Sequence, residues 1–313
     1  MPVEGFNVYE GLQEKETGWL SKLKQLNFPK AYDRYLNQII GEDTFTAYVD
    51  LMDYYQKIII THSKCAAFHF IEEGNSAYQA VDDLKDLTWN ERQDDFRVKD
   101  LLDGVSLKAI IRALRGYNLR LLGIPYLYSA FTNFENIRFF SFSDNAFYNA
   151  PKEKKILVKP DEEDENMLKL AAGTKLQHEI VWVDGSNNRY TGLSEQYYHD
   201  AIEKAIHRLE EKKLLKDKIY VKLRPGLKDV MSNHLVKTIT KRGYKAIPLS
   251  DSMVLESFFI VSQNCIVLGT LSAALEYAHV FGHKAYSIYG LFEKQPPTFF
   301  DRMHGFWENV EKL

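Results

Sequence analysis

Short apolar runs alternate with longer amphipathic segments along most of the chain, and this alternation predicts the elements of the fold. In the first half, we predict an amphipathic helix over residues 44–55 and another helix over residues 107–122. Buried strands are predicted at residues 57–61 and 65–71, and a short one at residues 139–142. Strands that alternate with helices favour a parallel sheet.

The second half repeats this alternation more regularly. A strand is predicted in each of its apolar runs, which are residues 179–183, 219–223, 246–249, 265–269 and 284–288. Helices are predicted at residues 194–216, with Ser194 as the N-cap, and at 228–242, 252–262, 272–281 and from 299 onwards. The pattern therefore predicts an α/β protein.

An acidic stretch bounded by proline, Pro160–Glu165, separates the two halves. Segments of this kind form cores poorly and link domains well. A chain of 313 residues is also long for one core and comfortable for two domains. We therefore predict a domain boundary near residue 165.

Composition and charge exclude several classes of protein. A hydrophobic share of 45% with 27% charged residues is typical of a soluble globular protein. The net charge of −3 gives no basic face for general nucleic-acid binding. Two cysteines are too few for a disulfide framework, and neither a signal sequence nor a membrane-spanning apolar run is visible. We expect a cytoplasmic protein, and a peripheral contact with the inner face of the membrane stays open.

Lys222 and Arg224 form a pair of cations at the end of a predicted strand. Their spacing of two places both side chains on the same side of the strand, which stops at Pro225-Gly226. Open α/β sheets bind ligands at the carboxyl ends of their strands, and two cations there suit a phosphate. A strand whose alternate residues are merely solvated would give the same pattern.

A second candidate site follows the strand over residues 265–269. Gly269, Thr270 and Ser272 lead from this strand into a helix, whose first N–H groups and dipole attract anions. Ser272 is placed to contact a phosphate oxygen. The alternative is that Thr270 or Ser272 only caps the helix.

The third candidate is the acidic sequence Glu72-Glu73-Gly74, at the end of another apolar run. A partly buried carboxylate at such a strand end can act as a general base, although a solvated strand end would look the same. The sequence contains no dinucleotide or Walker fingerprint, and its His, Cys, Asp and Glu residues show no metal-ligand spacing.

Three segments together resemble a family of enzymes. Phe68–Tyr78 resembles the acidic-acidic-Gly motif of the bacterial sialyltransferases that build lipooligosaccharide and capsular polysialic acid. Val221–Pro225 is similar to their Lys-x-His-Pro motif, and Ser272–Glu276 to their serine motif. Their order and rough spacing match from about residue 58 to residue 290. The resemblance implies a GT-B fold, in which two Rossmann-like domains face each other across a cleft.

The resemblance also implies an activity, the metal-independent, inverting transfer of sialic acid from CMP-sialic acid to a hydroxyl of a surface glycan. Residues 1–165 would form the acceptor domain and residues 166–313 the domain for the CMP-sugar, with the last helix packing back on the first domain. Glu72 would be the general base, with Glu73 as the fallback.

The phosphate of CMP would be held by the other two motifs. The resemblance assigns this role to Arg224, Pro225 and Ser272, and the neighbouring Lys222, Gly226, Gly269 and Thr270 belong to the same predicted site. The loop Asp184-Gly185-Ser186, at another strand end, is expected to help to bind the nucleotide.

The chain departs from the family at Arg224, where the family has histidine. Arginine stays protonated at any usable pH, so it can neutralise a leaving phosphate but cannot protonate it. The departure leaves the donor sugar open, because another ulosonic acid on CMP, such as Kdo, would meet the same site. A nucleotide-sugar-binding module without turnover is the non-enzymatic alternative. We expect a nucleotide-sugar donor and a glycan acceptor as partners, no cofactor, no metal and no nucleic acid.

Overall fold

Two parallel sheets, one of four and one of six strands, form the frame of the protein. The computed structural model describes residues 32–50, 54–72, 74–78, 131, 134–160, 164–184, 195–223, 230–295 and 297–313. The predicted α/β class, with two Rossmann-like parallel sheets, is confirmed. The helix predicted at residues 107–122 and the N-cap at Ser194 lie outside the described residues.

Contacts within the chain divide it into two units. The first holds residues 1–73, 81–141 and 149–156, and the second holds residues 74–80, 142–148 and 157–313. The second unit therefore includes two short segments that interrupt the first. The single domain boundary predicted near residue 165 falls shortly after the last crossing, at residue 157, and stays a prediction.

The first sheet contains its strands in the order of the chain. They are β1 (Phe45–Val49), β2 (Cys65–Ile71), β3 (Phe139–Ser141) and β4 (Lys155–Leu157). Residues 32–40 (α1) and Tyr54–Ile60 (α2) are helical, and Lys152–Lys154 form a 3₁₀ turn. One face of the sheet is an aromatic core, in which Phe70 stacks on Phe139 at 5.4 Å and Phe131 packs against Phe68 and Phe70.

Two predictions for the first half are wrong. The segment predicted as a helix over residues 44–55 contains strand β1, and the strand predicted at residues 57–61 is the end of helix α2. In β1, buried Ala47 and Val49 alternate with exposed Thr46 and Tyr48, which is the period of a strand with one buried face. Three consecutive isoleucines end α2, and a short apolar run of this kind does not distinguish a buried helix from a buried strand.

The second sheet has its strands in the order β10-β9-β8-β5-β6-β7, and all neighbours are parallel. The strands are β5 (Ile180–Asp184), β6 (Lys218–Leu223), β7 (Lys245–Pro248), β8 (Ile266–Gly269), β9 (Lys284–Ser287) and β10 (Glu311–Lys312). Counted from β5 as the first, this order is 3-2-1-4-5-6, the order of a Rossmann sheet.

Helices accompany the strands of the second sheet. They are α3 (Glu165–Leu170), α4 (Glu195–Glu211), α5 (Val230–Lys241), α6 (Leu255–Val261), α7 (Ala273–Val280) and α8 (Phe306–Asn309). Single 3₁₀ turns lie at Gly74–Tyr78, Ile288–Leu291 and Phe299–Arg302. Helix α4 buries Tyr198, Ile202 and Ile206 at intervals of four residues, as an amphipathic helix against a sheet requires.

The elements predicted for the second half are confirmed to within a few residues. The exception is the end of the chain, where a closing helix is predicted from residue 299. The structure has a 3₁₀ turn, the four-residue helix α8 and the edge strand β10 there. A two-residue strand has no hydrophobic period of its own, so no sequence pattern announces it.

Gly269, the last residue of β8, lies opposite Val183 of β5. A Cβ added to this glycine would lie 3.0 Å from the carbonyl oxygen of Val183 and 3.5 Å from Cδ2 of Leu275. These neighbours are backbone and a buried core side chain, which cannot move away without cost. The glycine therefore allows β8 to end tightly against β5.

We expect Gly269→Ala to lower the free energy of unfolding by about 1–3 kcal/mol, because the added methyl group overpacks this contact. The measurement is urea unfolding monitored by circular dichroism. Ala246→Ser also adds one heavy atom, but on the edge strand β7, and should change the stability by no more than about 0.5 kcal/mol. Equal unfolding midpoints for Gly269→Ala and the wild type would contradict the role given to Gly269.

Candidate functional site

Strands β5, β6 and β8 of the second sheet end side by side, at the edge where the phosphate site is predicted. Asp184 at the end of β5 pairs with Leu223 of β6, and Val183 pairs with Gly269 of β8. The chain leaves β5 towards β6 on one side and reaches β8 on the other only after β7, so the strand order reverses between β5 and β8. In open α/β sheets, ligands bind outside the carboxyl ends of the strands at such a switch point.

Asp184 and the start of the serine motif are both at this switch point. Asp184 is the last residue of β5, and Gly185 and Ser186 lie outside the described residues. Gly269 is the last residue of β8, and Thr270 and Ser272 connect it to helix α7. The fold therefore brings together two strand ends that are more than 80 residues apart in the sequence.

Ser272 is the N-cap of helix α7. Its Oγ accepts a hydrogen bond from the main-chain N–H of Ala274 at 3.2 Å, so Ser272 does cap the helix, and its contact with a phosphate stays a prediction. A serine hydroxyl that accepts in this way still has its own hydrogen to donate. Capping the helix and contacting a phosphate are therefore compatible for this side chain.

Thr270 is part of the support behind the helix start and does not face solvent. Thr270 is 2% exposed. Its carbonyl oxygen accepts a hydrogen bond from Oγ of the buried Ser287 at the end of β9. Ser287 Oγ also accepts from the N–H of Tyr289 at 3.2 Å. These bonds hold the turn from β8 to α7 against the end of the neighbouring strand.

Lys222 is buried at the end of β6, and its ammonium is bound to a turn. Nζ donates to the carbonyl oxygens of Ser250 at 2.7 Å and Asp251 at 3.1 Å, just after β7. Burial lowers the pKa of Lys222, and the charge of Asp251 partly opposes this shift. These bonds use two of the three N–H donors of the ammonium. A contact between the third donor and a phosphate stays a prediction.

The cation predicted beside Lys222 is Arg224. This residue lies outside the described residues, together with Pro225 and Gly226. The backbone of β6 is described as far as Leu223, which pairs with Asp184. In the sequence, Arg224 therefore directly follows the end of β6, and β6 ends beside the end of β5 at the switch point.

Glu72 directly follows strand β2 and is partly exposed. Its N–H donates to the carbonyl oxygen of Phe140 in β3 at 2.9 Å, so the backbone at Glu72 continues the first sheet. Glu73 lies outside the described residues. Gly74 has a φ of +58°, a left-handed conformation that glycine adopts without strain, which accounts for the third residue of the acidic motif.

The structure adds a residue that the sequence pattern did not identify. The N–H of Gly74 donates to the phenol oxygen of Tyr277 in helix α7 at 2.7 Å. Tyr277 directly follows the serine motif, five residues after Ser272, but the sequence carries no signal that pairs it with a residue 203 positions earlier.

Among the described residues there is neither a metal-binding cluster nor a helix that could span a membrane. In that part of the chain, no three His, Cys, Asp or Glu side chains are grouped so that they could hold a metal ion. None of its helices has the length and apolar character needed to span a bilayer.

Comparison with known proteins gives similarity in fold alone. No protein-family model matches the sequence, and no curated protein matches it. The chain is similar to the UDP-bound structure of MnaA from S. aureus, with 11% identity, a TM-score of 0.39 and coverage of 84% of this chain and 61% of that one. It therefore spans less than two thirds of the length of that protein.

Two further solved structures are similar. For UDP-GlcNAc 2-epimerase from Methanocaldococcus jannaschii, the identity is 8%, the TM-score 0.43 and the coverage 95% of this chain and 72% of that one. For a glycosyltransferase from Rickettsia africae, the identity is 8%, the TM-score 0.35 and the coverage 87% and 63%. Similarities this distant do not assign a function to the chain.

We expect Lys222→Met to lower the free energy of unfolding by about 1–2 kcal/mol, because two carbonyl groups lose a charged hydrogen-bond donor. The measurement is urea unfolding at pH 7. Lys245→Met on the neighbouring strand β7 removes an exposed ammonium and should change the stability by no more than about 0.5 kcal/mol. Equal effects of the two substitutions would show that the turn does not depend on Lys222.

Proposed function

We propose that this protein is an inverting glycosyltransferase that uses a nucleotide-activated sugar and holds the phosphate of the nucleotide at the carboxyl edge of the second sheet. The observation that carries this proposal is the position of the serine motif. Its Ser272-capped helix starts at the switch point of a sheet with Rossmann strand order, beside the end of β5. Helix starts at this position suit phosphate groups because their N–H groups and dipole favour anions.

The donor that we propose is CMP-sialic acid. This proposal is supported by the three motifs that resemble those of the bacterial sialyltransferases. Their order and rough spacing match over most of the chain. In this proposal, the hydroxyl of Ser272 donates to the phosphate, the dipole of α7 favours its charge, and Arg224 binds it as well. Asp184, Gly185 and Ser186 contact the nucleotide, and Lys222, which already donates to the turn after β7, gives its third donor to the phosphate.

The reaction that we propose begins with the acceptor. Glu72 removes the proton from a sugar hydroxyl, and the oxygen attacks the anomeric carbon of the donor from the side opposite the phosphate. The bond from the anomeric carbon to the phosphate oxygen breaks, CMP leaves with the electron pair, and the configuration is inverted. Arg224 neutralises the phosphate, which is a form of electrostatic stabilisation of the transition state.

A donor assay tests this proposal. The protein is incubated with CMP-sialic acid and a mixture of glycans that contains lipooligosaccharide and oligosialic acid, and the release of CMP is followed. We expect release that depends on the acceptor and persists in excess chelator, because protein cations serve the phosphate. CMP-Kdo in a parallel reaction tests the other ulosonic acid. No acceptor-dependent release from either donor would overturn the transferase proposal.

We expect Glu72→Gln to reduce the rate of transfer by about 10²–10⁴-fold, because it removes the general base and keeps the shape of the side chain. The affinity for CMP, measured by titration calorimetry, should stay nearly unchanged. Glu73→Gln is the matched control, since it removes a neighbouring carboxylate with the same chemistry. Near-normal turnover of Glu72→Gln would remove Glu72 from the mechanism, and a large loss in Glu73→Gln alone would transfer the role to Glu73.

A further inference from the structure

The hydrogen bond from Gly74 to Tyr277 holds the start of the 3₁₀ turn Gly74–Tyr78. The first N–H groups of a helical turn have no acceptor within the turn. At Gly74 this acceptor is the phenol oxygen of Tyr277, 2.7 Å away on helix α7. Both residues belong to the second unit. Tyr277 therefore caps the turn from a different element of the fold.

Further hydrogen bonds hold the other end of the same turn. The carbonyl oxygen of Ala77 accepts from the N–H of Phe147 at 2.6 Å, and that of Tyr78 accepts from the N–H of His304 at 3.0 Å. Three separate segments of the second unit thus bind a turn of five residues. Its first residue comes directly after Glu72 and Glu73 in the chain.

The side chain of Tyr277 is itself held firmly. The residue is 4% exposed, and its ring meets that of Phe142 edge to face, with centroids 6.2 Å apart and planes at 88°. Phe142 also packs against Phe281 at 5.3 Å. A buried aromatic side chain on a helix has few rotamers, so the position of the phenol oxygen is well defined.

We propose that Tyr277 is a positioning residue for the acidic motif. This inference rests on the proposed function, because it requires Glu72 to be the general base. Its hydroxyl fixes the backbone at Gly74, two residues after Glu72, and the N–H of Glu72 is itself held by Phe140 of β3, so the bond to Tyr277 supplies the anchor on the other side of the carboxylate. Misplacement of a reacting group by about 1 Å can cost a large factor in rate. Tyr277 touches neither donor nor acceptor in this proposal.

Tyr277→Phe tests the proposal, since it removes only the hydroxyl and keeps the ring against Phe142. We expect kcat to fall by about 3- to 10-fold, the effect of losing one hydrogen bond that holds the base. The KM for CMP-sialic acid should change by less than about twofold, because Ser272 and Gly269 are untouched. Tyr244→Phe is the matched control, because it also loses one phenol hydrogen bond, to Glu210 at 3.2 Å, and should keep the wild-type kcat.

A double-mutant cycle separates positioning from a general structural effect. If Tyr277 acts through Glu72, then Tyr277→Phe should cost nothing further in the Glu72→Gln background. An equal loss of kcat in both backgrounds would overturn the proposal, because the hydroxyl would then act independently of the base.

Hydrogen–deuterium exchange tests the same contact without any substrate. The amide of Gly74 should exchange about tenfold faster in Tyr277→Phe than in the wild type, and Tyr244→Phe should leave it unchanged. Unchanged exchange at Gly74 in Tyr277→Phe overturns the inference whatever the turnover is. Faster exchange in a protein that uses neither CMP donor supports the anchoring of Gly74 by Tyr277 and contradicts the proposed function alone.

Discussion

The second unit depends on the burial of one short helix, α7. Residues Ala274–Ala278 in its middle are all buried, and they include a glutamate and a tyrosine. A helix that is buried on most sides must be covered by other elements, and its polar groups must find partners there. Glu276 accepts a hydrogen bond from Nδ2 of Asn309 at 2.7 Å, and the phenol oxygen of Tyr277 accepts one from Gly74.

The cover of α7 explains how the chain is divided between the two units. Phe142 packs on Tyr277 and Phe281, and Gly74 binds Tyr277, so the segments at residues 142–148 and 74–80 belong to the second unit although they interrupt the first. The acidic motif and the serine motif are far apart in sequence. Gly74, the last residue of the sequence Glu72-Glu73-Gly74, is bound within the second unit to helix α7, which follows Ser272.

The sequence predicts the second sheet well and the first sheet less well, for a physical reason. The strands of the second sheet are buried apolar runs such as residues 180–183, flanked by long amphipathic helices such as α4, and the two periods differ clearly. Around residues 44–61 the elements are only five and seven residues long, too short for either period to be distinguished. The contacts of Gly74 with Tyr277 and of Asn309 with Glu276 join distant positions and leave no local signal. Lys222 is another example. Its spacing from Arg224 predicts which side of the strand the side chain lies on, but not that the ammonium donates to the turn after β7.

The donors around the proposed phosphate site set how protons would move in the reaction. The ammonium of Lys222 already gives two hydrogen bonds to main-chain carbonyls, and Arg224 does not release its proton at any usable pH. A phosphate monoester loses its second proton near a pH of about 6, so CMP is stable as the dianion at neutral pH when cations and the positive end of a helix dipole lie near it. The leaving group then needs charge neutralisation and no proton. In the proposed mechanism the transfer from the acceptor hydroxyl to Glu72 is therefore the one proton transfer that the chain must arrange. The placement of this carboxylate then matters more than a second acid at the phosphate.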